Sequence, residues 1–155
     1  MSTLRVLGLW LHLLAVVVWV GSTVGWILVL LSEGASEESA DRHRRTEILG
    51  RRIYTVGWEA IFVIVLTGIF NLLPRVESGR LIDPDYYTPL IVKLSLLLGM
   101  IALQAWQHGW LVSSLGAEEA NEGSRSRARR GMLVASCLLV ALGAGALWVG
   151  VSLRF

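Results

Sequence analysis

"VLGLWLHLLAVVVWVGSTVGWILVLL", residues 6–31, is a run of 26 residues whose single ionisable side chain is His12. At ~1.5 Å per residue a helix of this length exceeds the ~30 Å of hydrocarbon in a bilayer. In lipid every backbone group must find its partner within the segment, so the run crosses as a helix. A cleaved leader is the competing reading. The apolar part is too long for one, and no small-residue cleavage step follows it. The run therefore sets the fold class, and it poses a question. An imidazole in hydrocarbon is costly, so His12 needs a reason to be there.

Three further runs of this kind give spans of about 6–31, 53–73, 90–112 and 132–153. They are bounded by Ser32-Glu33-Gly34, Pro74-Arg75, Asp83-Pro84, Pro89 and the arginine cluster before Met132. Hydrophobic residues make up 54% of the 155, with seven tryptophans, more apolar surface than a soluble domain of this size hides. The expectation is an all-α, four-transmembrane-helix bundle. It forms one integral domain over 1–155, multi-pass in a bacterial-type inner (cytoplasmic) membrane, with the lipid bilayer as its first partner. Segments 32–47 and 113–130, rich in Ser, Glu, Gly and Arg, read as solvated connectors able to carry short helical extensions. The lone cysteine, Cys137, excludes an internal disulfide and reads as a small core residue.

Arginines decide the orientation. Arg42, Arg44, Arg45, Arg51 and Arg52 lie in the first connection, and Arg125, Arg127, Arg129 and Arg130 in the third. Only Arg75 and Arg80 lie in the second, with Arg5 and Arg154 in the tails. Nine against four places the first and third connections in the cytoplasm, giving an N-out, C-out topology. The formal charge of +2 and this placement suit a charged membrane surface; no nucleic-acid-binding face is indicated.

Within the spans lie four ionisable side chains, His12, Glu59, Lys93 and His108, each a functional candidate because such groups usually face a bundle interior. Lys93 is the only lysine in the chain. It either serves a local requirement or snorkels to the nearby interface. Helical phase sets Lys93, Leu97, Met100, Gln104 and His108 on one stripe of the third helix. His12, Trp19, Thr23 and Trp26 share a face of the first, and Arg52, Glu59 and Phe70 one of the second. His108 and Glu59 are placed so that they could pair in an inner layer, with Gln104 nearby, a contact that would hold two helices together. Trp106 and Trp110 read as an aromatic belt, and His43 as a loop residue. A single metal shared by His12 and His108 fails on distance, since their depths differ by ~18 Å against ~2 Å for an imidazole–metal bond. One cofactor per layer remains open.

The stretch "LWLHLLAVVVWVG" resembles the first-helix signature of HemJ-type membrane protoporphyrinogen oxidases and of the related copper-resistance D (CopD) membrane proteins. "EILGRRIYTVGWEAIFVIVLTGIFNLL" is similar to the second-helix region of the HemJ type, and "PLIVKLSLLLGMIALQAWQHGWL" to its lysine-bearing third helix. The resemblance implies a four-helix protein binding haem b, one or two per chain, with His12 at the family's histidine and Lys93 at its lysine. The chain departs from the HemJ type in "GWILVLLSEG", where a Pro-Arg and a Tyr-x-His step are expected. It departs again at Gln104, which takes a histidine's place one turn before His108.

On that reading His12 is an axial iron ligand, its cost offset by a metal bond, and Lys93 pairs with a propionate. Trp19 packs on the porphyrin, and His108 is the candidate ligand of the inner layer. The function implied is a redox or haem-pathway role, including a HemJ-like oxidoreductase working with a redox partner and a porphyrin or haem, as a homo-oligomer or alone. The alternatives are a CopD-like copper transport or permease module and an accessory subunit of a membrane complex. Copper conduction wants several soft ligands at helical spacing, and the spans offer only Met100, Met132 and Cys137.

Overall fold

A computed structural model describes residues 3–33, 40–77, 83–115 and 122–152, and all but Asp83 are helical. The helices are α1 (Thr3–Glu33), α2 (Ala40–Glu77), α3 (Pro84–Leu115) and α4 (Glu122–Ser152). Each contains a stretch long and apolar enough to cross a membrane: Thr3–Ser32, Ile48–Pro74, Tyr86–Gly109 and Arg129–Gly150. The protein is a multi-pass, all-α membrane protein.

Helix boundaries follow local chemistry more than hydropathy. Asp83 starts α3: its carbonyl accepts the backbone N–H of Tyr86 at 3.0 Å and of Tyr87 at 2.9 Å. Pro84 opens the helix, where a missing N–H costs nothing. Two expected breakers do not break. Pro74 lies inside α2 and Pro89 inside α3, each within two turns of a helix end, where few backbone bonds are lost. The connectors are also shorter than their composition suggests, because α2 begins at Ala40 and α4 at Glu122. Much of the arginine-rich sequence is therefore helix extending past the apolar span.

Neighbouring helices run antiparallel. α1 packs on α2 and on α4, and α3 packs on α4. Gly8 of α1 meets Phe70 and Asn71 near the end of α2, while Trp26 meets Tyr54 near its start. The bundle thus has a terminal end, with the start of α1 and the α2–α3 connection, and a connection end, with the α1–α2 and α3–α4 connections. Inward positions recur at steps of three and four, the spacing that keeps one face toward neighbouring helices. On α1 they include Ala15, Trp19, Thr23 and Trp26; on α2, Tyr54, Gly57, Ile64 and Thr67.

The core divides into levels. Ala15, Trp19, Ala60, Ile64, Met100 and Leu139 form an apolar layer at mid-bundle. Trp26, Leu30, Tyr54 and Met132 form a second cluster toward the connection end. Leu, Val, Phe and Trp side chains cover the outside, including Leu4, Val17, Phe62, Leu98 and Trp148, as contact with lipid tails requires. Cys137 is on this outer surface, not in the core as its apolar setting suggested. Apolar sequence does not mark the inside of a bundle whose solvent is itself apolar.

Candidate functional site

The residues singled out by sequence fall at two levels of the bundle. At the terminal end, the half-buried imidazole of His12 points from α1 to α2. Its Nδ1 lies 2.9 Å from the Thr67 hydroxyl. That hydroxyl sits 2.6 Å from the Val63 carbonyl one turn earlier. The same hydroxyl is 3.3 Å from the Ile64 carbonyl. With its single proton on Val63, the closer acceptor, Thr67 Oγ1 can accept from His12 Nδ1–H, and in that tautomer Nε2 keeps its lone pair. The ring lies beside Gly68, where a Cβ would make an ordinary contact with His12 Cε1 at 3.7 Å.

Lys93 joins this level from α3. Its Nζ lies 3.5 Å from where a Cβ on Gly150 of α4 would be, so the ammonium tucks against a glycine-bared stretch of helix. The imidazole of His12 is within its Coulombic reach. The two sequence candidates, 81 positions apart in the chain, therefore share one polar level.

Trp19 occupies the next level inward. It is 1% exposed, and its Nε1–H donates to Gln104 Oε1 at 2.8 Å. Its indole lies across Gly143 of α4, where a Cβ would meet the ring at 2.8 Å. This ring locks α1, α3 and α4 together within the apolar layer.

Below that layer is a small polar cavity among all four helices, bordered by Thr23, Tyr54, Gly57, Gln104, Gln107 and Ser136 among others. The volume open to the centre of a water molecule is about 20 Å³. Gln107 Nε2 donates to Ser136 Oγ at 3.0 Å and to the Met132 carbonyl at 3.3 Å. Gln104 Nε2 fills the gap beside Gly57, 2.7 Å from where a Cβ would be. Ser22 and Thr23 donate to the Trp19 carbonyl, at 2.8 and 3.0 Å.

His108 is exposed, and its ring tilts against Tyr54 at 5.8 Å between centroids. Tyr54 and Thr67, the α2 partners of His108 and His12, are 13 residues apart, which is ~20 Å of helix. The two histidines lie at different levels, as their depths predicted, and one metal ion does not reach both. The His108–Glu59 pair is not formed. Glu59 is exposed on the outside of α2, as is Arg52 on the same stripe, while Phe70 lies against Gly8 of α1. The inward face of α2 is instead made of Tyr54, Gly57, Ala60, Ile61, Ile64 and Thr67. The α3 stripe holds through Lys93, Leu97, Met100 and Gln104, then buries Gln107 in place of His108. Keeping strictly to alternating steps of four and three would have found Gln107, and by the same rule Ser136 from Met132. The side chains of His43 and Trp110 lie outside the described ones.

Among the described residues, no group of three or more His, Cys, Asp or Glu side chains comes together around a common point. The donor chemistry at the terminal end is one oriented imidazole with a cation beside it. No curated protein and no solved structure matches the chain. The family model for copper resistance protein D matches residues 49–153. That match covers all of α3 and α4 and most of α2, including Thr67, Lys93 and Gln104, and leaves His12 outside. It spans well over half of the 155 residues, so the chain belongs to the copper resistance protein D family.

Proposed function

We propose that this membrane protein binds haem b, with His12 Nε2 as an axial ligand and Lys93 close to the propionates, in a redox or haem-pathway role. One observation carries the reading. The 2.9 Å contact of His12 Nδ1 with the Thr67 hydroxyl holds the ring and suits the tautomer in which Nε2 is unprotonated, the arrangement in which a histidine binds a metal and is oriented by its outer partner. Thr67 orients the ring, and Lys93 supplies the positive charge that a carboxylate needs in a low-dielectric setting. Haem b, when bound, supplies one-electron redox chemistry. The inner cavity is far smaller than a porphyrin, so the fit is one of donor chemistry at His12.

Family membership favours a second reading, in which copper is the cargo. A bare copper ion wants two or more soft or imidazole donors, and the described residues bring only His12 to this level. A porphyrin brings four nitrogens of its own, so a single histidine suffices. The absorption spectrum of protein purified in mild detergent separates the two. A Soret band that is lost or strongly shifted in His12→Ala, with the protein still inserted, is the expected result. Stoichiometric copper without a Soret band supports the copper reading. A Soret band unchanged in His12→Ala removes His12 as the ligand and transfers the role to His108.

A further inference from the structure

Glu59 stands exposed on the outside of α2, at the depth of the apolar mid-bundle layer to which its neighbours Ala60 and Ile61 belong. It lies 11 residues inside Ile48 and 15 from Pro74, the limits of the α2 span, so ~17 and ~22 Å of helix separate it from the two ends. Among the described residues no hydrogen bond or ion pair holds its carboxyl. Thr55, one turn away, gives its hydroxyl proton to the Arg51 carbonyl at 2.9 Å and has none to offer. Acyl chains offer none either, and a carboxyl that faces them without a partner is costly.

The residues around Glu59 form a seam. Thr55, Glu59, Phe62, Leu66, Ile69 and Leu73 recur at alternating steps of four and three, and all six are exposed. This is the spacing by which two helices pack along one stripe at a shallow crossing angle. Symmetry and chemistry together say what covers it. Copies of one chain insert the same way, so a two-fold pair has its axis along the membrane normal and sets each residue level with its own counterpart. A second copy brings no cation to this stripe at this depth. His12 and Lys93 stand at the terminal-end level on α1 and α3, His108 is on α3, and Arg52 is seven residues away, ~10 Å along the axis. It does bring a second Glu59. A protonated carboxyl both donates and accepts, so one such group satisfies another, as an interface made of the same patch on both subunits requires.

We propose that two copies of this chain pair along the outer face of α2, with their Glu59 carboxyls hydrogen-bonded to each other across the interface. The seam lies on the opposite side of α2 from Thr67, so the pairing is independent of the haem reading.

Cysteine cross-linking of the full chain in native membranes tests this. In a Cys137→Ser background, Leu66→Cys places a thiol on the seam, and Leu138→Cys places one on the outer face of α4, where Leu138 is also exposed. Oxidation is expected to link Leu66→Cys into a species of twice the chain mass, with a yield several-fold above that of Leu138→Cys. At equal membrane content, adding Glu59→Leu should cut the yield several-fold, whereas Glu59→Gln, whose amide both donates and accepts, should keep it. Equal yields at the two cysteine positions, or a yield that Glu59→Leu leaves unchanged, overturn the proposal. A loss in Glu59→Gln as deep as in Glu59→Leu also overturns it, and assigns the carboxyl to a cation. A cross-linked product of another mass does the same, because another protein then covers the face.

Discussion

Thr67 has one hydroxyl proton, and its use decides what His12 can do. With the proton on a carbonyl of its own helix, Thr67 accepts from Nδ1 and the far nitrogen of the ring is left as a donor atom. Thr67→Val keeps the shape of the side chain and removes both bonds. Without its partner the imidazole is free to turn and to change tautomer, and loss of such an outer contact typically weakens metal binding ~10–100-fold. We expect Thr67→Val to retain the fold and to bind haem more weakly, measured by titration of the apoprotein and the Soret yield. Unaltered binding would mean that Thr67 only ties α1 to α2. Neither Thr67 nor Tyr54 is conspicuous in the sequence, because threonine and tyrosine in an apolar run look like ordinary span residues. His12 and Lys93 are conspicuous there because they are ionisable, and the structure brings them to one level.

Glycine at a helix crossing acts on whole elements. A Cβ on Gly143 would lie 2.8 Å from Trp19 Cζ3, inside any normal contact distance. The obstacle is a rigid indole pinned to Gln104, not the free end of a flexible chain. Gly143→Ala must therefore push α4 from α1 or break the Trp19–Gln104 bond. Overpacking of this kind costs about 1–3 kcal/mol. We expect a clear fall in the thermal midpoint in detergent. Gly21→Ala serves as a control, because nothing lies within 4 Å of its added carbon; equal effects of the two substitutions would disprove the Gly143 contact. Four helices were legible from run length alone, since ~20 apolar residues in lipid have no other backbone solution. The face of α1 was legible as well, because Trp19, Thr23 and Trp26 are buried as their spacing predicted. The face of α2 was not. Polarity pointed to Glu59, but the inward face includes Gly57 and Ala60, which let backbones approach closely, beside the larger Tyr54, Ile61 and Ile64.

For the whole molecule the open quantity is orientation, and arginine placement bears on it directly. Nine arginines lie in the connection-end portions of α2 and α4, against four elsewhere. One of the nine is also structural. Arg129 Nε donates to the Leu30 carbonyl at 2.7 Å and Nη2 to that of Leu31 at 3.5 Å, satisfying carbonyls at the end of α1 that have no partner within the helix. Setting Arg129 aside leaves the imbalance at two to one, so the connection end should face the cytoplasm. Helical extension of α2 and α4 past their spans keeps those charges near the membrane surface, where they influence insertion most. In a Cys137→Ser background, we expect Ser78→Cys to react with an impermeant maleimide on intact cells, and Ser36→Cys only after permeabilisation. The opposite pattern would invert the molecule and bring His12 and Lys93 to the cytoplasmic face. A carboxylate paired with Lys93 would then be presented to the cytoplasm.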